Sequence, residues 1–297
     1  DIFKISRKTQ NDTFLVSEKA WRKGGSRSFL ESGSKVSVSD LLHGVIVQSG
    51  NDAAIVLAEG IAGTEDSFAE EMNFWAQKLG MKNTNFRNAT GWPDPNLRTT
   101  AKDLNILTTE LLRQFPDNIY PSLYPIFAKK EFTYNKIKQP NRNPLIYGSL
   151  GADGLKTGHT EESGYGLVGS AIRNGRRVVM VLNGIETKKK RSTESKRLID
   201  LMFREFSSHS FFAEGESIDQ ANVWLGNAAK VDLVLEAPLK MVLSRKEKQA
   251  LEISVQWLDP VPAPIKIGDE IGTLTVTLPG NVTKYKLLAA QKVDRLQ

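Results

Sequence analysis

The chain has 297 residues, of which 40% are hydrophobic, with 23 glycines and no cysteine. At roughly 150 residues per domain, this length predicts about two domains with sizeable cores and excludes a disordered or collagen-like chain. The lack of cysteine excludes disulfides, thiolate zinc sites, iron–sulfur clusters and a cysteine nucleophile. The net charge of +6 is a mild basic excess that does not by itself indicate nucleic-acid binding.

The ends of the sequence also bear on its class. No run of 18 or more apolar residues occurs, so no membrane-spanning helix is predicted. The first residues, Asp1 to Lys4, include no initiating methionine and no signal-peptide pattern, so we expect a processed or incomplete start.

The first half of the chain has a mainly helical pattern. After a predicted strand over 13–16, apolar residues at helical spacing predict a helix that begins near Ser39 or Asp40, with one of the two as its N-cap. A glycine between Ser49 and Asn51 interrupts this pattern before a strongly apolar helix resumes. We therefore expect Ser49 and Asn51 to lie at a junction between two helices.

Two more helices follow in the sequence, over 64–79 and from Thr100, whose hydroxyl can cap its first turn. The region 120–147 is rich in proline and has little periodicity, which predicts a loop-rich connection.

From residue 153 the pattern becomes β-like. Strands are predicted over 154–157, 165–172 and 176–183. Asn174-Gly175 between the last two is a strong signal for a tight hairpin, and a closing helix is predicted over about 192–206. Helices followed by an antiparallel meander indicate an α+β domain.

Beyond residue 209, short alternating segments separated by turn residues predict a small all-β domain. These segments are 231–235, 251–255 and 271–278. The predicted domains are therefore 1–212 and 213–297.

The tripeptide Lys156-Thr157-Gly158 lies in a predicted strand and can carry chemistry. A lysine on an edge strand holds an ammonium at a fixed height, and the threonine hydroxyl can bond a carboxylate. The glycine leaves room for a peptide backbone to lie against the strand. Because these residue types are common, the tripeptide alone could also be a strand that ends in a turn.

Ser49-Gly50-Asn51 is a second candidate. A hydroxyl and an amide on one turn between helices can relay a proton and orient a substrate amide, although such residues also occur in ordinary loops. The order of the two motifs is more informative, because Lys-Thr-Gly follows Ser-x-Asn on a strand about a hundred residues later.

This combination is two thirds of the active-site signature of serine penicillin-binding proteins and β-lactamases, S-x-x-K, S-x-N and K-T-G. Three segments extend the similarity: LHGVIVQSGNDAA at 42–54, NATGWP at 88–93 and DGLKTGHT at 153–160. With them, nearly the whole chain resembles the D-alanyl-D-alanine carboxypeptidases, the low-molecular-mass penicillin-binding proteins of the type 5/6 group. The resemblance implies a penicillin-binding/β-lactamase-like peptidase domain, with a helical region and an antiparallel sheet, followed by a small all-β domain.

The resemblance also implies roles for individual residues. Ser49 would relay a proton through its hydroxyl, and Asn51 would orient the substrate amide. Lys156 and Thr157 would contact the terminal carboxylate of the peptide, next to Gly158. The backbone N–H of His159 would form half of an oxyanion hole.

Two arginines match cleft residues of the family. Arg191 matches an arginine that helps to hold the substrate carboxylate, and Arg142 matches another that lines the cleft. The alternative for each is a solvated surface charge.

The nucleophile of the family does not match any residue of the sequence. The resemblance places the nucleophilic serine and its partner lysine upstream of Asp1. One literal S-x-x-K occurs, at Ser32 to Lys35, but the chemistry needs this pair on a helix. Because Gly33 and the following strand-like residues disfavour a helix, we interpret this pair as a coincidence.

Other kinds of site have little support in the sequence. The chain has three histidines without metal-ligand spacing; His43 is predicted inside a helix and His209 at a helix end, and no metal or organic cofactor is expected. The basic run 188–191 is expected to be a solvated face that at most steers an anionic substrate. No nucleic-acid motif occurs, so no nucleic-acid partner is expected.

The leading hypothesis is a serine D-Ala-D-Ala carboxypeptidase that acts on peptidoglycan stem peptides through an acyl-enzyme and is acylated by penicillins. The alternative is a non-catalytic peptidoglycan-binding protein, because the nucleophile is not among these residues. A β-lactamase proper is disfavoured by the second domain. By analogy the setting is the bacterial periplasm or the outer face of the cell membrane, and the residues after Gln291 are too few for the amphipathic anchor that such proteins commonly carry.

Overall fold

The computed structural model describes residues 9–114 and 123–296. The chain divides into two compact units, residues 1–201 and 202–297. Helices and antiparallel strands make up the first unit, and the second is almost entirely β-structure. The predicted α+β class with a small C-terminal all-β domain is confirmed, whereas the boundary between residues 212 and 213 stays a prediction.

The described helices of the first unit are α1 (Glu18–Arg22), α2 (Val38–His43), α3 (Asn51–Ala62), α4 (Glu65–Lys78) and α5 (Ala101–Gln114). A further helix, α6 (Lys188–Glu205), begins in the first unit and ends in the second. A π-helix over Gly44–Gln48 connects α2 to α3, and two 3₁₀-helices cover Tyr124–Ala128 and Pro144–Tyr147.

The strands of the first unit form three separate antiparallel sheets. These strands are β1 (Thr13–Leu15), β2 (Lys35–Ser37), β3 (Glu131–Tyr134), β4 (Ile137–Pro140), β5 (Ala152–Thr160), β6 (Gly164–Arg173) and β7 (Arg176–Ile185). The pairs β1–β2 and β3–β4 are two-stranded, and the third sheet has the order β5-β6-β7. Asn174 and Gly175 have positive φ values of 51° and 72° at the tight β6–β7 turn, as the sequence predicts.

Helix α3 lies at the centre of one core. All residues over 52–58 are buried, which explains why the sequence here is apolar on every side of the helix. Ile55 and Val56 pack with Phe14 of β1 and Val36 of β2 in one hydrophobic cluster. This packing fixes the N-terminal end of α3, where the Ser49–Asn51 turn lies.

Several predicted boundaries are wrong. Helix α2 is capped by Ser37 rather than by Ser39 or Asp40, because the Ser37 hydroxyl accepts the N–H of Asp40 at 3.0 Å. Helix α6 begins at Lys188, four residues before the predicted start, and the hydroxyl of Thr187 accepts the N–H of Lys190.

Two further predictions need correction. The loop-rich connection contains the β3–β4 hairpin, and residues 120–122 of this connection lie outside the described part of the chain. His209 lies in a strand of the second unit and not at a helix end, whereas His43 is in α2 as predicted.

The second unit consists of β8 (Phe206–Phe212), β9 (Asp219–Trp224), β10 (Lys230–Val234), β11 (Leu239–Ser244), β12 (Glu252–Trp257), β13 (Val261–Pro262), β14 (Glu270–Leu278), β15 (Asn281–Ala289) and the short helix α7 (Arg245–Gln249). Six strands form one sheet in the order β12-β14-β15-β10-β9-β13, and β8 pairs with β11. Leu233, Leu274 and Leu287 are fully buried in the core of this unit.

Across residues 9–114 and 123–296, no helix combines the length and the apolar character needed to cross a membrane.

Candidate active site

The turn between the π-helix and α3 places Ser49 in an unusual backbone conformation. Ser49 has φ 64° and ψ 37°, in the left-handed region that few residues other than glycine adopt. The N–H groups of Ser49 and Gly50 both point to the carbonyl of Gly44, which closes the π-helix. Strained residues and π-turns occur often at functional sites, so this turn is a candidate before any side chain is considered.

Lys156 on β5 reaches the Ser49 hydroxyl across 107 positions of sequence. Its ammonium donates to Ser49 Oγ at 2.7 Å and to the carbonyl of Thr157 at 2.8 Å. The structure thus brings together the two residues on which the sequence interpretation depends. An ammonium that donates to a hydroxyl leaves the hydroxyl proton available to another acceptor.

Three positive side chains converge here. Burial, and then the charges of Arg142 and Arg191, lower the pKa of Lys156 to about 8. Burial also lowers the pKa of both arginines, although a guanidinium remains charged in proteins. A cluster of like charges raises the electrostatic potential of the site and favours an anionic ligand.

Arg191 is the more deeply buried arginine, with only 4% of its surface exposed. Its Nη2 lies 3.4 Å from the carbonyl of Arg142, and its Cζ lies 5.5 Å from the centroid of the Tyr165 ring. Among the described residues, no acceptor lies within hydrogen-bond distance of its Nε. A buried charged donor in this state is costly unless a ligand satisfies it, so Arg191 is suited to bind an anion.

Arg142 is exposed, and its Nη2 donates to the hydroxyl of Ser26 at 2.7 Å. Arg191 corrects part of the sequence interpretation, because it is buried whereas the preceding lysines of the basic run are exposed as expected.

The loop over 23–28 wraps around the Ser49–Asn51 turn. The side-chain amide of Asn51 donates to the carbonyl of Gly24 at 2.9 Å, and its backbone N–H donates to the carbonyl of Ser26 at 2.9 Å. The Ser26 hydroxyl donates to the carbonyl of Gln48. These bonds fix the orientation of the Asn51 amide beside Ser49.

Asp52, in the first turn of α3, holds the end of the same loop through hydrogen bonds. It is fully buried, and its carboxylate accepts the backbone N–H groups of Ser28, Leu30 and Ala53 at 2.8 to 3.2 Å. Such charge-assisted bonds to backbone amides are strong, so they join the loop rigidly to the start of α3. The sequence analysis did not single out this residue, although an aspartate in the first turn of an apolar helix is an available signal.

The remaining predicted site residues follow Lys156 on β5, which is one of the two edge strands of its described sheet. Thr157 is buried, whereas Gly158 and His159 are exposed. A Cβ at Gly158 would meet no atom of the described residues within 4 Å, so the space beside this strand is open. The His159 ring packs on Tyr165, with 4.0 Å between the ring centroids.

The literal S-x-x-K at Ser32 to Lys35 does not form a helical pair. Gly33 has a φ of 77° in a turn, and Lys35 begins β2. This geometry agrees with its interpretation as a coincidence. Within the described residues, no group of three histidine, aspartate or glutamate side chains is placed to hold a metal ion.

Comparison with known proteins shows the family of the chain. A family model described as D-alanyl-D-alanine carboxypeptidase matches residues 3–187, and one described as the C-terminal domain of penicillin-binding protein 5 matches residues 206–295. The chain is a D-alanyl-D-alanine carboxypeptidase family member. This family consists of serine-type hydrolases and includes penicillin-binding proteins involved with peptidoglycan.

Individual relatives of this family cover most of the chain. The chain is 36% identical to the D-alanyl-D-alanine carboxypeptidase DacC of Escherichia coli over 95% of its length and 72% of the relative. It is 32% identical to DacF of Bacillus subtilis over 95% of its length and 72% of that relative.

The solved structures agree. Penicillin-binding protein 5 from Haemophilus influenzae is 34% identical with a TM-score of 0.79, covering 99% of this chain and 86% of that one. The carboxypeptidase DacD from Francisella tularensis is 26% identical with a TM-score of 0.80, covering 99% and 84%.

Proposed function

We propose that these residues bind the C-terminal D-Ala-D-Ala of peptidoglycan stem peptides and serve a carboxypeptidase that removes the last D-alanine through an acyl-enzyme. The observation that carries the proposal is the 2.7 Å hydrogen bond from the half-buried Lys156 ammonium to the Ser49 hydroxyl, in the field of two arginines.

The terminal carboxylate of the peptide is assigned to the positive end of the site. Lys156 and Arg191 supply charge, and the Thr157 hydroxyl supplies a further donor. Arg191 supports this assignment because its buried Nε has no acceptor among the described residues. Hydrogen bonds from charged donors to a carboxylate contribute about 1.5–3 kcal/mol each, enough to orient the peptide tail.

The proton route in the proposed acylation passes through Ser49. The nucleophilic serine, predicted with its partner lysine before residue 1, gives its hydroxyl proton to that lysine and forms a bond to the carbonyl carbon of the penultimate D-alanine. The bond from this carbon to the terminal nitrogen breaks. Ser49 Oγ gives its proton to the leaving nitrogen and receives one from Lys156 Nζ. Because the pKa of Lys156 is about 8, its ammonium can give a proton to Ser49 near neutral pH at a small cost in free energy.

The negative charge that develops on the carbonyl oxygen is assigned to the backbone N–H of His159 as one donor of an oxyanion hole. Asn51, held by Gly24 and Ser26, orients the amide that precedes the scissile bond. Water then hydrolyses the acyl-enzyme and releases the shortened peptide. The proposed reaction needs no metal or organic cofactor, and β-lactams acylate the same serine.

The alternative is a protein that binds the peptide without cleaving it. Under this alternative, Lys156, Thr157 and Arg191 hold the carboxylate, but no serine attacks the carbonyl. For either function the proposed setting is the extracytoplasmic cell wall, where its relatives act.

Two measurements test the proposal, the first of them on the 297-residue chain. Calorimetric titration compares Nα-acetyl-Lys-D-Ala-D-Ala with the L-Ala-L-Ala analogue, and selective binding of the D-peptide supports the proposed ligand. Equal binding, or no binding of either, rejects the proposal. Intact-mass measurement after exposure to penicillin is made on a chain that also carries the Ser-x-x-Lys segment predicted upstream of residue 1. A covalent adduct contradicts the non-catalytic alternative, whereas selective binding without an adduct supports it.

A further inference from the structure

Trp92 presents an aromatic face beside the proposed site. It is 42% exposed, although its backbone is held firmly by one side chain. Asn88 Oδ1 accepts the backbone N–H of Trp92 at 3.0 Å, and Asn88 Nδ2 donates to the backbone carbonyl of Trp92 at 2.9 Å. An exposed indole on a backbone fixed in this way is preorganised to bind a ligand with little loss of conformational entropy.

Lys23 lies over this indole. Its ammonium is 4.1 Å from the centroid of the Trp92 ring, within the range of a cation–π interaction. This contact holds the positive charge of Lys23 against one face of the indole. Lys23 and Trp92 therefore combine an apolar face with an adjacent ammonium.

Gly25 connects this pair to the site. A Cβ at Gly25 would lie 2.9 Å from Asn51 Nδ2 and 3.0 Å from Trp92 Cζ3, and its φ is +78°. The glycine lets the indole and the Asn51 amide approach the same point of the loop. Trp92 therefore lies beside Asn51, the residue assigned to the amide that precedes the scissile bond.

The carboxylates near this point are already engaged. Asp52 is bound to backbone N–H groups, and the Asp94 carboxylate lies 3.8 Å from Arg87. Arg142 is bonded to Ser26 on the same loop as Lys23, so the local charge is positive. A free ammonium on the ligand would be repelled here, and a carboxylate would be attracted.

We propose that Lys23 and Trp92 form a specificity subsite for the residue before D-Ala-D-Ala. The subsite favours a side chain with an aliphatic stem that ends in a carboxylate over one that ends in an ammonium. This inference rests on the proposed function, because it needs the D-Ala-D-Ala end to be bound at Lys156.

Three peptides that differ only at one nitrogen test the subsite. Nα-acetyl-Lys-D-Ala-D-Ala is prepared with its Nε as the ammonium, as the neutral acetyl amide, or as the succinyl amide that ends in a carboxylate. Calorimetric titration of the 297-residue chain is expected to give the tightest binding for the succinyl peptide, about tenfold tighter than for the ammonium peptide, since about 1.4 kcal/mol corresponds to a factor of ten.

Variants assign this preference to the two residues. Lys23→Gln is expected to abolish the preference for the succinyl peptide over the acetyl peptide. Trp92→Ala is expected to lower the affinity for all three peptides, whereas Trp92→Phe is expected to keep most of the wild-type affinity. The matched control is Lys78→Gln, because Lys78 lies in the same way over the exposed ring of Phe74 on α4, with 4.4 Å between ammonium and ring centroid.

Two outcomes overturn the subsite. Equal affinity for the succinyl and acetyl peptides contradicts it, and so does a preference that survives Lys23→Gln. If none of the three peptides binds better than the L-Ala-L-Ala analogue, the proposed function fails and the subsite with it. The D-peptide comparison therefore distinguishes the two failures.

Discussion

Ser49 and Lys156 illustrate how two ordinary residues become unusual through their surroundings. The left-handed backbone conformation of Ser49 ends the π-helix, so the Ser49 side chain does not continue the helical array. The Lys156 ammonium is desolvated by its surroundings and lies near two guanidinium groups, and both effects lower its pKa to about 8. The hydrogen bond between Ser49 and Lys156 depends on the surroundings of both residues.

The charge of Lys156 predicts how binding depends on pH. Because the charged form attracts the carboxylate, the affinity for Nα-acetyl-Lys-D-Ala-D-Ala is expected to be high below about pH 8 and to fall as pH rises above it. Arg142→Gln removes a positive neighbour, so the Lys156 pKa and the midpoint of this loss move to higher pH. Titration calorimetry between about pH 6 and about pH 10 measures this midpoint. For comparison, the pKa of an unperturbed lysine is about 10.4.

The control for this measurement is Lys78→Gln, which keeps the wild-type midpoint. A midpoint that Arg142→Gln moves to lower pH, or does not move, contradicts the electrostatic account of Lys156.

Gly158 offers a separate test of the open space beside β5. Gly158→Val adds a side chain where no described atom lies within 4 Å, so the fold should tolerate it. Its free energy of unfolding is expected to change by no more than about 0.5 kcal/mol, while peptide affinity falls by more than about tenfold because the side chain occupies the space proposed for the peptide. Urea unfolding and calorimetry give the two values. Unchanged affinity would place the peptide elsewhere.

At the scale of elements, the site depends on how α3 meets the loop over 23–28. The helix is buried along its first two turns, and its Asp52 receives N–H groups from the loop. The loop in turn holds Asn51 and Arg142. Rigid packing below the turn is thus linked to the orientation of the groups that face the ligand.

Asp52→Ala tests this link. The substitution leaves three backbone N–H groups without their acceptor, so the free energy of unfolding is expected to fall by about 2–4 kcal/mol, and peptide affinity falls with it. Urea denaturation followed by circular dichroism measures the loss. Glu70→Ala on the exposed face of α4 is the matched control, with a change of at most about 0.5 kcal/mol. A loss in Asp52→Ala no larger than the control would remove Asp52 from this role.

The sequence predicts elements well where local signals agree. The helical spacing of α3 and α4, the β6–β7 hairpin at Asn174-Gly175 and the alternating strands of the second unit all have such signals. The junction at Ser49 was also predictable, because a glycine interrupts an apolar helical pattern there.

Other features depend on contacts that no local pattern records. The early start of α6 places four basic residues in the first turn of a helix, against the helix dipole, so the local charge pattern does not predict it. The Thr187 hydroxyl, which accepts the N–H of Lys190, caps this start. In the β3–β4 hairpin, which the sequence did not predict, Asn135 and Lys136 both have positive φ values. Tight hairpin turns of this kind usually have glycine at the second position, so the lysine gave no turn signal. The partners of Lys156 likewise lie far away in sequence, so only the resemblance indicated that Arg142 and Arg191 share one site with it.

At the scale of the whole molecule, two compact units have separate hydrophobic clusters. The predicted site residues all lie in the first unit, within the match to the carboxypeptidase model except Arg191. The second unit matches a different family model and has its own fully buried leucines. This division indicates that the second unit can fold without the residues of the site.

The separate core predicts that isolated residues 202–297 keep their β-sheet circular dichroism and unfold cooperatively. Leu274→Ala in this fragment removes a fully buried side chain and is expected to cost about 3 kcal/mol in urea unfolding. Leu258→Ala, where the side chain is 76% exposed, should change stability by less than about 0.5 kcal/mol. A fragment without cooperative unfolding, or equal losses in the two variants, would contradict an independent core.

In the proposed function, the cation cluster of Lys156, Arg142 and Arg191 holds the carboxylate of a D-Ala-D-Ala tail. The most direct test of this claim compares, by calorimetry on the 297-residue chain, Nα-acetyl-Lys-D-Ala-D-Ala with the same peptide ending in a carboxamide. The account predicts that the carboxylate binds more than about tenfold tighter, because hydrogen bonds to charged groups contribute about 1.5–3 kcal/mol. Equal affinity for the two peptides would contradict it.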